Sequence, residues 1–313
     1  MQPAFSVIFL TTLIGAAQGL FLALFGTDIS GLGGLAPLES QRILVSGSVL
    51  ALVLSALGLL ASFFHLGRPE RAWRSASMWR TSWLSREVIA LPLFMLGLFL
   101  YAIVHATGQG NPRLVGAFTT LACIALFVCT AMIYASVRFL QEWASPLTLI
   151  NYLLLGCASG LMLATLLAAL SGVPTLVQPY GTMAAGLTVL AGITRSLSLY
   201  RNARLKPKST LQSAIGIKHP RIVQKAQGFM GGSFNTREFF HGRSKELMSA
   251  VKWGFLILTF PMAIALLAIG LIASSTQVLF IAFVTQYIGL LAERWFFFAQ
   301  ANHPQNLYYQ NIS

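Results

Sequence analysis

Between His65 and Val88 the sequence reads HLGRPERAWRSASMWRTSWLSREV. A histidine and a carboxylate close together exchange protons at neutral pH, and a quinone needs such exchange because its two-electron reduction consumes two protons. His65 and Glu87 supply that pair. Trp73, Trp79 and Trp83 can wall an apolar ring, and Arg68, Arg71, Arg80 or Arg86 can polarise its carbonyl oxygens. The same residues have a plainer use. Tryptophan and arginine anchor helix ends at a headgroup boundary, and Arg86 and Glu87 can simply cap the helix that follows. Residue types alone leave both readings open.

The elements that must position these groups are membrane spans. Of 313 residues, 56% are hydrophobic and only 9% charged, whereas an ordinary soluble domain carries about 25% charged residues. Runs near 20 apolar residues predict eight spans: Ala4 to Gly26, Ile43 to Phe64, Val88 to Ala106, Leu114 to Val137, Leu147 to Leu170, Gly181 to Tyr200, Met248 to Ala273 and Gln277 to Ala299. Open sheet edges do not survive in hydrocarbon, and these runs do not alternate like barrel strands. The expected fold class is all-α, a polytopic bundle of eight transmembrane helices forming one integral membrane domain over 1–313. His65 then closes the second span and Glu87 opens the third, with Gly67 and Pro69 in a short connection that brings the two ends together. Gly15 with Gly19, and Gly156 with Gly160, are small-xxx-small pairs suited to close helix approach. Cys123, Cys129 and Cys157 lie inside apolar runs without CxxC spacing, so they read as packing residues.

Eight spans put both termini on one side, together with the loops after the second, fourth and sixth. That side carries 19 of the 21 Lys and Arg residues, counting Arg195 and Arg294, and the opposite side has Arg42 and Arg113. Basic residues near span ends resist translocation, which predicts a cytoplasmic location for the termini and these loops. The net charge of +13 is accounted for by topology, and nucleic acid is not an expected partner. No Lys or Arg precedes Arg42, so the first span lacks the basic start of a cleaved signal peptide and is expected to be retained. The segment 201–247 between the sixth and seventh spans is a basic loop. From Arg201 to Glu246 it mixes ten basic residues with Phe229, Phe234, Phe239, Phe240 and three glycines. Two readings compete for it: a strip lying on anionic lipid headgroups, or a docking platform for a soluble subunit, which the interleaved aromatics and glycines favour.

Other functions fit less well. His65 and His105 fall near opposite faces and cannot share one haem iron, and His303 lies in the C-terminal tail, so neither haem nor metal is expected. His105 reads as an interfacial residue at the outer face. A transporter would place ionisable residues at mid-span and broken helices in matching halves, and neither is read from the sequence.

HLGRPERAW followed by WRTSWLSREV resembles the membrane-anchor subunit family of dimethyl sulfoxide reductase, within the complex iron-sulfur molybdoenzymes. The resemblance extends over the eight-span plan. It implies a haem-free subunit of the bacterial inner membrane that exchanges electrons between quinone, ubiquinone or menaquinone, and a ferredoxin-like iron-sulfur subunit, itself wired to a molybdopterin catalytic subunit. It carries the family's quinol-site histidine and carboxylate onto His65 and Glu87, and matches Arg68 and Arg71 to the basic residues of the same loop. The inside placement of the motif, with GIKHPRIVQKAQGFMGGSFNTREFFHGR from Gly216 to Arg243, resembles more closely the anchors of cytoplasm-facing, sulfite-oxidising quinone reductases. The implied function is transfer of electrons from sulfite oxidation to the quinone pool, part of sulfur metabolism. Quinol oxidation for a dimethyl sulfoxide-type reductase and a non-catalytic tether are the alternatives.

Overall fold

The computed structural model describes residues 1–64, 68–206, 208–223, 225 and 241–304. His65 and most of the aromatic part of the basic loop lie outside the described residues. Among the described residues, eight helices are long and apolar enough to cross a membrane: α1 Phe5–Ser30, α2 Pro37–Phe63, α3 Trp83–Thr107, α4 Pro112–Ala135, α5 Pro146–Leu170, α6 Pro174–Ala203, α7 Lys245–Ile272 and α8 Thr276–Ala299. No strand occurs among the described residues. This is the expected all-α bundle, with every helix but α1 starting earlier than hydropathy predicts. α2, α4, α5 and α6 each carry proline in the first turn, where its fixed φ suits a helix start and its missing N–H costs nothing. Asn111 and Ser145 cap the next-turn amides of α4 and α5 through their side chains. Hydropathy marks the part of a helix that sits in hydrocarbon; the polar first turns extend beyond it.

α1 and α5 form the centre of the bundle, and α1 also packs on α2, α4 and α8. The two small-residue pairs meet each other at this crossing. A methyl group at Gly160 would run into the backbone of Gly19 and Leu20, and one at Gly19 into the backbone of Gly156. Lipid gives no hydrophobic drive to helix association, so backbone contact of this kind supplies the packing energy instead. Above the crossing lies a dry core of Phe21, Leu24, Phe94 and Leu98, all fully buried, with Phe21 edge-on to Phe94 and Tyr101. Cys123 and Cys129 are buried and Cys157 half-buried, all three as free thiols.

The connection from α2 to α3 contains a 3-10 helix, Pro69–Ala76. Ser82 caps α3 by accepting from Ser85 N at 3.3 Å. α7 is interrupted by a π-helical turn, Leu258–Met262, that contains Pro261. Proline cannot supply the usual backbone donor, and the wider turn absorbs that loss.

Candidate functional site

The end of the bundle bearing the α2–α3 connection holds two kinds of groups. The first is an outer shelf of tryptophan and arginine. Trp73 is 70% and Trp79 53% exposed, while Trp83 is half-buried. Arg74 lies over Trp73, Arg80 over Trp79 and Arg86 over Trp83, at 5.5, 5.4 and 4.3 Å. Arg86 also donates to the carbonyls of Trp79, at 2.9 Å, and Arg80, at 2.8 Å, so it fastens the connection onto α3. Arg68 is exposed, and the exposed Arg71 sits 3.9 Å from Glu70. The shelf brings its aromatic rings and guanidinium groups together along the surface.

The second kind is internal. Glu87 does not cap α3; that position belongs to Ser82. It lies in the second turn, 9% exposed, where the Thr130 hydroxyl of α4 donates to its Oε1. There it lines a narrow cavity together with Thr11 and Thr12 of α1, Tyr152 of α5 and Arg294 of α8.

Arg294 was not among the candidates read from the sequence. Charge counting places Arg195 and Arg294 with the basic residues of one membrane side, and no Asp, Glu, Lys or Arg is read at mid-span; the structure puts both arginines toward the ends of α6 and α8, but buried. In the structure Arg195, Glu293 and Arg294 are 2%, 1% and 5% exposed and join α6 to α8 inside the bundle. Arg195 Nε lies 2.7 Å from Glu293 Oε1, and Arg294 Nε 3.5 Å from Glu293 Oε2. The Arg294 guanidinium covers the Tyr152 ring at 3.7 Å. The signal in the sequence is Glu293-Arg294 set between apolar and aromatic residues at 287–299; a window average hides such a pair because it is diluted by its neighbours. Burying it is expensive in hydrocarbon, where ionisable groups pair or serve function. With Arg294 and Arg195 moved inward, the basic excess at this end still stands.

His105 occupies the far end of α3. It is 3.3 Å from Asp28 Oδ2, packs edge-on against Tyr101 at 4.5 Å, and Tyr101 donates to the same carboxylate oxygen at 2.7 Å. Eighteen residues of helix separate it from Glu87, about 27 Å at 1.5 Å per residue. The two groups therefore belong to opposite ends of the bundle.

A family model described as the dimethyl sulfoxide reductase anchor subunit (DmsC) matches residues 1–221. Over 326 aligned positions the chain is 53% identical to a sulfite dehydrogenase subunit of Allochromatium vinosum, covering 100% of both chains. It is also 28% identical over 179 positions to anaerobic dimethyl sulfoxide reductase chain YnfH of Escherichia coli K12, covering 53% of this chain and 62% of that one. Eight apolar helices, a polar site at one end and this similarity agree: the chain is a multi-pass membrane protein that belongs to the dimethyl sulfoxide reductase anchor subunit family.

Proposed function

We propose that the chain is the haem-free, quinone-reactive anchor of a cytoplasm-facing molybdopterin and iron-sulfur complex, passing electrons from sulfite oxidation to the quinone pool. The observation that carries the reading is Glu87, a carboxylate buried at the motif end of the bundle, hydrogen-bonded to Thr130 and facing a cavity of mixed polar and apolar lining. Full-length similarity to a subunit of a sulfite dehydrogenase supports the choice of substrate for the complex. Substrate oxidation belongs to a molybdopterin subunit. The clusters belong to a ferredoxin-like subunit, since Cys123, Cys129 and Cys157 stand inside spans with packing partners and do not form a ligand set. Both partners dock on the basic, cytoplasmic face that includes the 201–247 loop.

In this reading the ring binds at the ends of α2 and α3 against the shelf of Trp79 and Trp83. His65 exchanges a proton with its oxygen, Glu87 relays a proton behind it, and an arginine from Arg68, Arg71, Arg80 and Arg86 steadies the reduced oxygen. Similarity to a dimethyl sulfoxide reductase chain supports a second reading, in which the same site oxidises quinol.

The test is His65→Ala and Glu87→Gln in the assembled complex. Each is expected to lower sulfite-to-quinone turnover by about 10²-fold, the usual size of a lost proton-transfer group. Dye-coupled sulfite oxidation, which bypasses the anchor, should stay at the wild-type rate. Unchanged quinone turnover in both variants would leave the tether reading. Activity with quinol and a sulfoxide, but not with sulfite and quinone, would establish the reverse direction.

A further inference from the structure

The triad of Arg195, Glu293 and Arg294 has no part in the chemistry above, and behind it lies a second cavity. This one is lined by Glu142, Asn151, Arg195, Ser198 and Glu293, and it shares Tyr152 and Arg294 with the cavity at Glu87. Its outer rim reaches Arg201 and Asn202 at the end of α6 and Glu142 in the α4–α5 connection, all half-buried at the loop end of the bundle. The two cavities thus form an interrupted series from that surface to Glu87, with Tyr152 and Arg294 as the partition.

The lining of this series calls for water. Arg195 Nη2 is buried with no hydrogen-bond partner among the described residues, and Glu293 Oε2 has its ion-pair contact with Arg294 but no hydrogen bond. Buried polar atoms in that condition are normally served by ordered water. Asn151 donates to Ser198 Oγ at 2.7 Å and accepts from Thr194 at 2.8 Å. Ser198 therefore acts as an acceptor toward Asn151, while its own hydroxyl hydrogen is free to rotate. Two guanidinium charges against Glu293 leave one positive charge over, beside the cavity that Glu87 lines.

We propose that this series is a hydrated proton file by which Glu87 exchanges protons with water at the loop end of the bundle, a role that rests on the quinone-site reading of Glu87. Protons pass through water held by Ser198, Arg195 and Glu293, cross at the Tyr152 hydroxyl beside Arg294, and reach the Glu87 carboxylate. The arginines keep their protons and hold the water in place.

Ser198→Ala removes one rotating hydroxyl without touching the ion pairs, and Asn151→Leu fills the cavity with an apolar side chain. In the assembled complex, each is expected to slow sulfite-to-quinone turnover by about tenfold and to raise its solvent deuterium isotope effect above that of the wild type, while dye-coupled sulfite oxidation holds. A purely structural triad would leave both the rate and the isotope effect of Ser198→Ala unchanged, and that result overturns the proposal. If Asn151→Leu does not assemble, Ser198→Ala decides alone. Glu87→Gln is measured in parallel: slow Glu87→Gln with wild-type Ser198→Ala refutes the file and spares the site, whereas wild-type turnover in Glu87→Gln removes both.

Discussion

Glu293 lies between two arginines in a place that bulk water does not reach, and that position sets its energetics. Removing one partner of a buried ion pair leaves an uncompensated charge and costs about 3–5 kcal/mol, whereas replacing the pair with apolar residues of similar volume is often neutral. Glu293→Leu, which leaves both guanidinium groups uncompensated, is therefore expected to lower the stability of the purified protein by at least that amount in thermal unfolding, and Arg195→Leu, which leaves Glu293 paired with Arg294, by much less. Equal losses would show that Arg294 does not compensate Glu293. The residue scale also shows where sequence reading reaches its limit. Glu87 is legible because it stands in a dense polar motif next to a span. Thr130, Tyr152 and Arg294 come from three other helices and acquire meaning only when α4, α5 and α8 meet α3. His65, the other half of the motif, is outside the described residues.

Among the elements, the α1–α5 crossing is the one most sensitive to a single atom. Gly160→Leu places a branched side chain where backbone now stands, and overpacking of this kind costs about 1–3 kcal/mol or more. The expected outcome is a lower yield of folded protein by size-exclusion in detergent, with Gly186→Leu as a comparison at a site where an added carbon meets nothing within 4 Å. Both glycine pairs were legible in the sequence because spacing of four residues is a local property. That they face each other was not, since it depends on which helices become neighbours. At the base of the basic loop, His241 is buried, with Nδ1 accepting from Arg243 N at 3.0 Å. Burial first, then the nearby N-terminal ammonium and Arg243, push its pKa below the ordinary value of 6.5. A depressed histidine pKa means that the folded state favours the neutral ring. Its contribution to stability is complete above about pH 6.5 and is lost as pH falls through the folded value. Protection factors for hydrogen exchange, corrected for the intrinsic pH dependence, should fall below that pH in the segment from His241 to the start of α7, and His241→Phe should abolish the effect.

For the molecule as a whole, the buried and half-buried carboxylate, histidine and arginine groups of the spans fall, among the described residues, at two separate ends. The Glu87 cavity and the buried triad lie at one end, the Asp28, Tyr101 and His105 group at the other, with Phe21, Leu24, Phe94 and Leu98 packed between them. Among the described residues, a proton taken up at the loop end meets no carboxylate, histidine, lysine or arginine within that core. Quinone turnover in sealed proteoliposomes is therefore expected to generate no membrane potential, measured with a voltage-sensitive dye; a potential that collapses with an uncoupler would contradict the confinement. The count of spans and the single basic end were legible in the sequence because hydropathy and loop charge are properties of composition, while the dry middle is a product of packing. The central position of α1 has a further consequence, for the order of assembly during synthesis. Of the eight helices α1 is made first; it can pack on α2 as soon as that helix follows, but Gly19 must wait in the bilayer for Gly160 to be translated, roughly seven to thirty seconds later at bacterial rates of about 5–20 residues per second. During that interval its glycine face is open to lipid or to another nascent chain, so chaperoning by the insertion machinery matters most for this helix.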